Sequence, residues 1–588
     1  SRRTFLKSAA ATSAALAIRP AAAAGEKPNI LWLVSEDNSA FLGCYGDENA
    51  TTPNLDALAE EGVLYENAFA NAAVCAPARS TLITGLYASS MGTHHMRSRN
   101  AVPKQIRFFP EYLREAGYYC TNSAKEDYNV AQKPAGTWDE SSGQAHYKNR
   151  APGQPFFAIF NHGVSHESGL HKTADTVKHD PAKMNLPPYH PDTPTIRHDW
   201  AQYYDKMSEM DRQIGQKVKE LEDAGLAEDT IVFYYADHGG ILPRSKRFPY
   251  DSGTHVPMIV RFPEKWKHLA PSAPGTRTDR LVSFVDFGPT VLSLAGIATP
   301  AQMQGEPFLG PHAQSPRDYV YIFRGRKDER YDEARAVRGK RYRYIRNFMP
   351  HIPWGVHINY LYRMPAMQDW RRLFDEGKLP PVQRRFFEPK ATEELYDSLA
   401  DPHEINNLSE DPAHKATLEH MRAACYAWMR ETRDAALFPE SEMKARARAN
   451  GLTVYEMLRD PGLYPFEECF ETATLANQRD PKNLGRLTQS LGNEESLIRY
   501  WAAIGLLELG AKAKPAIPAL EKALQDTAPD VRCIAAEALC VLGQPQNALP
   551  ILEKELHQTD PFAALRAAEA LGHIGETARP VLERYKEK

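Results

Sequence analysis

Residues 29–38 read N-I-L-W-L-V-S-E-D-N: five apolar side chains in a row behind Asn29, then a serine and an acidic pair. A run with no alternation of polar and apolar residues is buried on both faces, as in the centre of a parallel sheet. Ser35-Glu36-Asp37-Asn38 then stands at the carboxyl end of that strand. Working outward, residues 53–62 read as a helix ending at Gly62, and residues 156–160, 230–235 and 258–261 read as further strands. A long helical pattern over residues 203–224 lies among them. Strands interleaved with helices predict an α/β fold with a large, mostly parallel sheet between helical layers. Ligands of such sheets bind outside the carboxyl ends of the strands. Two of the predicted strands end in candidate ligands, Glu36-Asp37 and Asp237-His238.

The chain has 588 residues, with 71 Lys+Arg against 75 Asp+Glu, a formal net charge of -4 and 42% hydrophobic residues. Mean hydropathy is -0.52. That composition describes a globular protein without the basic field that nucleic acid requires. Ser1-Arg2-Arg3-Thr4-Phe5-Leu6-Lys7, an Ala-rich stretch and Ala21–Ala24 have the pattern of a twin-arginine-type export signal over residues 1–24. A periplasmic or secreted protein is expected. No run beyond it is long and apolar enough for a transmembrane helix. The seven cysteines are scattered and form no CxxC pair, which excludes a disulfide framework and a zinc knuckle while leaving room for one or two bridges.

Residues 25–330 make up the α/β domain. Residues 331–460 change character: the stretches at 341–347 and 394–397 suggest a smaller α+β subdomain with an antiparallel part. After a predicted linker at 461–484, residues 485–588 repeat. The segments starting at Ile498, Val531 and Ala564 recur with a period of about 32–33 residues, each followed by Gly510, Gly543 or Gly575 and then by Pro515, Pro550 or Pro580. Short helical pairs stacked as HEAT-like repeats follow from that pattern, about three of them, fit for docking a partner or capping the domain.

Residues 74–85, V-C-A-P-A-R-S-T-L-I-T-G, place Cys75 at a predicted helix start. A helix N-terminus lowers a thiol pKa, but no Cys-His arrangement is nearby. On these residues alone Cys75 is a small buried side chain, a nucleophile or a precursor of something else.

Cys75-Ala76-Pro77-Ala78-Arg79 followed by Leu82-Ile83-Thr84-Gly85 resembles the signature of the formylglycine-dependent sulfatases of the alkaline phosphatase superfamily. In that family the cysteine is oxidised after translation to an aldehyde. One hydroxyl of its hydrate attacks sulfur; the other expels sulfate as the hemiacetal collapses. The resemblance covers roughly residues 27–450. It implies a divalent cation, Ca²⁺ by the hardness of the donors, held by Glu36, Asp37, Asp237, His238 and the modified Cys75. Arg79 would brace the hydrate, Lys125 and Lys246 would hold the sulfate, and His166 would protonate the departing oxygen. Three positions depart from the family pattern: Glu36 replaces the usual Asp, Ala78 a common Ser, and Asp127 a histidine that usually touches the hydrate.

The overall style is most similar to bacterial carbohydrate sulfatases related to heparan N-sulfatase, which implies a sulfated sugar as substrate and a formylglycine-generating maturation enzyme as partner. His95, Arg97, Asp127, Arg324, Arg326, His351 and His357 are the candidate substrate contacts, since basic and aromatic groups suit a sulfated sugar. Two rivals stand beside this reading: a phosphonate monoester or phosphodiester hydrolase of the same superfamily, and a non-catalytic glycan-binding scaffold.

Overall fold

Every residue of β1 (Asn29–Ser35) is buried. Ile30, Trp32 and Val34 face one hydrophobic core while Leu31 and Leu33 face another. That two-sided burial is why the strand shows no alternation in sequence. The computed structural model describes residues 26–586; the predicted export signal at 1–24 lies outside the described residues.

The main sheet has nine strands. In chain order they are β1, β2 (Val63–Phe69), β3 (Tyr119–Ser123), β4 (Glu140–Ser141), β5 (Phe156–His162), β6 (Thr230–Ala236), β7 (His255–Val256), β8 (Met258–Arg261) and β9 (Thr276–Ser283). Their spatial order is β4-β3-β5-β1-β6-β8-β2-β7, with β9 also beside β2. The strands from β4 to β6 pair in parallel, whereas β8 is antiparallel to both β6 and β2. The expected mixed, mostly parallel sheet is therefore present.

Helix α1 (Pro53–Glu61) buries Leu55, Leu58 and Ala59. All ten residues of α2 (Cys75–Thr84) are buried, with Val74 as the N-cap. Helix α3 (Pro194–Asp223) starts earlier than its apolar pattern does. Thr193 accepts a hydrogen bond from the Ile196 N–H (3.2 Å) and Pro194 fills the first turn, a capping signal that precedes the periodic residues.

A second, antiparallel sheet runs β10 (Val320–Arg324), β11 (Ala334–Arg338), β12 (Tyr342–Asn347), β13 (Glu393–Asp397). It begins at Val320, so a boundary at residue 330 falls inside its first hairpin. Helix α4 (Pro365–Asp375) is tied to α3 by the Ala366 N–H, which donates to Asp199 Oδ2 (2.7 Å).

Helix α5 (Glu440–Ala449) leads into residues 461–484, which are not a bare linker. They contain α6 (Phe466–Asn477), whose Phe466, Cys469, Phe470, Ala473 and Ala476 form one buried face. The predicted repeats follow as three helical pairs: α7 (Ser496–Leu509) with α8 (Ile517–Ala523), α9 (Pro529–Val541) with α10 (Pro545–Leu556), and α11 (Pro561–Ile574) with α12 (Arg579–Lys586). Gly510, Gly543 and Gly575 close the first helix of each pair at positive φ (53°, 80° and 57°), where a side chain would be strained.

The repeats are fused to the rest rather than standing clear of it. Trp501 Nε1 donates to the Leu437 carbonyl (3.0 Å), and the Phe562 ring receives Lys444 Nζ at 4.0 Å and Arg326 Cζ at 5.2 Å. The Tyr331 N–H donates to Glu569 Oε1 (2.5 Å). All seven cysteines are free, so the bridges the sequence allowed do not form. Among the described residues no helix is long and apolar enough to cross a membrane.

Candidate active site

The parallel register sets Ser35 beside His162 on β5 and Ala236 on β6. The three loops that leave these strands therefore emerge side by side, carrying Glu36-Asp37, His166-Glu167 and Asp237-His238. Cys75, at the start of α2, closes the group. Backbone bonds lock the loops together: Glu36 N–H to the His162 carbonyl (3.1 Å), Asn38 N–H to the His238 carbonyl (3.1 Å) and Asp37 N–H to Asp237 Oδ1 (3.1 Å). Asp37 holds left-handed backbone (φ 53°), which turns its side chain off the strand axis toward the cluster.

Cys75 Sγ lies 3.3 Å from His238 Nε2 and 3.7 Å from Asp37 Oδ1. His238 Nε2 is itself 2.8 Å from Asp37 Oδ1. Arg79, one turn along α2, reaches Asp237 Oδ2 with Nε (3.0 Å) and Asn161 Oδ1 with Nη1 (2.8 Å), leaving its buried Nη2 without a protein partner. Lys125 Nζ donates to Glu36 Oε2 (2.6 Å), and Lys246 Nζ donates to Asp37 Oδ2 (2.6 Å) while sitting 3.4 Å from His166 Nε2.

Two overlapping sets present ligand atoms within 4.8 Å of one another: Glu36, Asp37, Cys75 and His166, and Asp37, Cys75, Asp237 and His238. Hard carboxylate oxygens with one imidazole fit a divalent cation. The electrostatics agree. Burial pushes the His238 imidazole down, yet Asp37 and Asp237 outweigh it and hold the ring up at about 10. Burial likewise opposes ionisation of Asp37 and Asp237, but the Lys246 and His238 charges hold the first, and His238 and Arg79 the second, well below the usual carboxylate range. Lys125 and Lys246 overcome burial at Cys75 and lower its thiol pKa. These are carboxylates that demand cations.

Three contributors escaped the sequence reading. Glu167 is buried, donates its N–H to Asp37 Oδ2 (2.8 Å) and takes a bidentate ion pair from Arg247 (2.8 and 2.9 Å). Asn161 orients Arg79. Glu167 adjoins His166, Arg247 adjoins Lys246 and Asn161 adjoins the predicted strand at residues 156–160, and adjacency was the only signal. With Glu167 and Arg247 included, four carboxylates (Glu36, Asp37, Glu167, Asp237) face Arg79, Lys125, Lys246 and Arg247, with His238 as a further positive partner. Such pairing of opposite charges is what lets so many be buried together.

The predicted substrate contacts fare differently. Arg324 is 1% exposed and bound to Asp332 (2.9 Å); Arg326 is buried against Glu440 (2.7 Å). Both hold the β10–β11 hairpin and present no face to a substrate, which corrects the sequence reading. His95 is fully buried and accepts the Arg326 N–H at Nδ1 (2.9 Å), so it too is interior. His351 pairs with Glu508 of the repeats (3.1 Å). His357 and Arg97 are exposed, and the half-buried Asp127 sits at φ 49°. His162 is buried, its pKa pushed down to about 4 by burial.

Comparison with known proteins agrees with this geometry. The sulfatase family model matches residues 28–297, the C-terminal model of N-sulphoglucosamine sulphohydrolase matches 243–358, and HEAT-repeat models match 498–526 and 517–587. An ulvan-active sulfatase of Formosa agariphila is 40% identical over 485 residues, covering 74% of this chain and 80% of the relative. Human N-sulphoglucosamine sulphohydrolase is 26% identical over 465 residues, 69% of this chain and 90% of the relative. Among solved structures, a phosphonate monoester hydrolase from Silicibacter pomeroyi shares the fold, with a TM-score of 0.51 at 18% identity over 70% of this chain and 97% of that one. Identity at the level of the Formosa protein, carried across four-fifths of its length, decides the matter. The chain belongs to the sulfatase family, the hydrolases of sulfuric esters.

Proposed function

We propose that this sulfatase removes sulfate from a carbohydrate, using an aldehyde made from Cys75 as nucleophile and Ca²⁺ in the carboxylate set. One observation carries the reading. Cys75 Sγ stands inside the ring of Asp37, His238, Lys125 and Lys246, at the mouth of a helix, where a buried thiol would otherwise have no reason to meet so much charge. The substrate class rests on the likeness to relatives named for ulvan and N-sulphoglucosamine.

Glu36, Asp37, Asp237 and His238 would hold the cation, which supplies Lewis acidity toward oxygen. The hydrated aldehyde supplies a nucleophilic oxygen that a serine could not regenerate. The chain's own groups do the rest. Lys125 and Lys246 are aimed at the space beside Cys75 and bind the sulfate oxygens. Arg79 directs its unpartnered Nη2 toward developing negative charge. His166 Nδ1 lies 2.9 Å from Ser168 Oγ, a hydroxyl that can accept its proton in the protonated ring, and Nε2, on the cluster side, is placed to give its own proton to the departing oxygen. Burial would lower its pKa, but contacts with Cys75 and Asp37 raise it instead, which favours the proton-carrying form that a general acid needs.

A mass spectrum of the Cys75 peptide tests the reading: conversion to the aldehyde lightens it by about 18 Da. Protein from a host with the maturation enzyme should show that loss and release sulfate from sulfated sugars. Modified protein that is silent on sulfate esters and active on phosphonate esters would favour the rival hydrolase. Export by the twin-arginine route belongs to the same proposal and is checked by cell fractionation.

A further inference from the structure

One group of side chains lies beside His166 at the edge of the charged cluster, touching it through Arg247, whose guanidinium is 5.9 Å from the Tyr360 ring centre. Tyr360 presents its ring 6.3 Å from the His166 ring, inclined at 61°, and 4.5 Å from the His171 ring, inclined at 74°. Arg363, one turn on, sets its guanidinium 5.6 Å from the Tyr360 ring centre. Arg363 is exposed and forms no ion pair among the described residues. His171 Nε2 is buried without a hydrogen-bond partner, and its pKa is lowered by burial. An aromatic face, a free guanidinium and an unpaired imidazole nitrogen thus sit together one ring away from the group that protonates the leaving oxygen.

This rim is built rather than accidental. Residues 357–363 form a turn pinned on three sides. The Asn359 N–H donates to Glu329 Oε1 (2.6 Å), Arg330 Nε donates to the His357 carbonyl (2.7 Å), and Tyr362 Oη donates to the Gly355 carbonyl (3.0 Å). Beyond it, Asp199 holds the first turn of α4 through Ala366. Lys125, Lys246 and Arg79 already answer the sulfate being cleaved, so the Arg363 charge is surplus to that reaction. Arginine matches oxyanions with two parallel N–H groups, and an aromatic ring beside it suits the apolar face of a sugar.

We propose that Tyr360, Arg363 and His171 form a specificity subsite for a second oxyanion, a carboxylate or a further sulfate, on the sugar next to the one being desulfated. The inference rests on the sulfatase reading of the cluster. It places the enzyme's preference among polyanionic glycans and makes Arg363 the residue that reads the neighbouring charge.

The test compares three sulfated disaccharides that differ only in the sugar adjoining the scissile sulfate: one with a carboxylate, one with a sulfate, one with neither. Aryl sulfate serves as a minimal substrate. Wild-type protein should favour one or both anionic disaccharides over the neutral one in kcat/KM. R363A should shrink that preference by about two- to fivefold, mostly through KM, as expected for loss of an exposed charged pair. R363K should restore part of it, and the arm that loses most identifies the oxyanion. A preference unchanged in R363A, or absent in wild-type protein that cleaves aryl sulfate, overturns the subsite alone. No sulfate release from any substrate, aryl sulfate included, overturns the parent reading and the subsite with it.

Discussion

Asp199 offers a test of how the rim of the site is held. It lies on α3, 1% exposed, and its Oδ2 accepts the Ala366 N–H at the start of α4 (2.7 Å). The charge that acts on it is another carboxylate, Asp369, which accepts a hydrogen bond from Thr193 Oγ1 (2.6 Å). Burial raises the Asp199 pKa, the Ala366 N–H pulls it back and Asp369 adds to the rise, with the net result a shift from 3.8 to about 7. The sign follows from proton linkage. Between pH 4 and 7 the folded protein keeps a proton that the unfolded chain has lost, so stability falls as pH rises through that window. A rise from 3.8 to about 7 is worth at most about 4 kcal/mol. Asn in place of Asp keeps the acceptor for Ala366 and removes the charge. D199N should therefore match wild-type protein near pH 4 and melt several degrees higher at pH 8. Differential scanning calorimetry of both proteins across pH 4–8 reads the difference directly. A melting gap that stays constant with pH, or a variant less stable than wild type at pH 8, would refute the reasoning.

Other perturbations act on the cluster and its supports. C75A should abolish sulfate release while leaving the fold intact by circular dichroism; full turnover would sink the mechanism. Chelation should lower the melting temperature as well as activity, with Ca²⁺ restoring both, and an unmoved melting curve would argue against a resident cation in the carboxylate set. E167Q strips the bidentate partner from buried Arg247 and should destabilise by about 3–5 kcal/mol, read as a large drop in the denaturation midpoint. E569Q weakens the bond to the Tyr331 N–H at the base of the hairpin, and should raise KM for sugar substrates more than it changes kcat.

The parts of the site that could be read from sequence share one property: the chemistry and the chain signal coincide. Glu36-Asp37 and Asp237-His238 sit where apolar strands stop, and Cys75 sits in a stretch with an unusual spacing. Arg324 and Arg326 were misread because a buried arginine and a substrate-binding arginine look alike until their partners are known. Those partners, Asp332 and Glu440, are eight and 114 positions away. Glu167 was passed over for the opposite reason, since its partner Arg247 lies 80 residues off and neither residue stands out alone. The predicted linker failed locally: the apolar face of α6 spans only twelve residues and carries three glutamates that mask it.

The repeats are the clearest case of function hidden by distance. Glu569 of α11 accepts the Tyr331 N–H in the β10–β11 hairpin. Three positions before Tyr331, Asp328 approaches Arg247 Nε (3.4 Å); Arg247 pairs with Glu167, and the Glu167 N–H binds Asp37. Apart from the short stretch of chain between Tyr331 and Asp328, every link in that series is a hydrogen bond or ion pair, and all but Asp328 and Arg247 Nε are held within ordinary hydrogen-bond distance. A tail that reads as a docking module by composition therefore spends its inner face supporting the hairpin, and through it the carboxylate that faces Cys75. Loosening α11 should then be felt at the cluster, whereas changes on the outer helices α8, α10 and α12 should not. Measured kcat/KM for substitutions on the two faces separates a support from a mere appendage: equal effects, or none on the inner face, would return the repeats to a docking role.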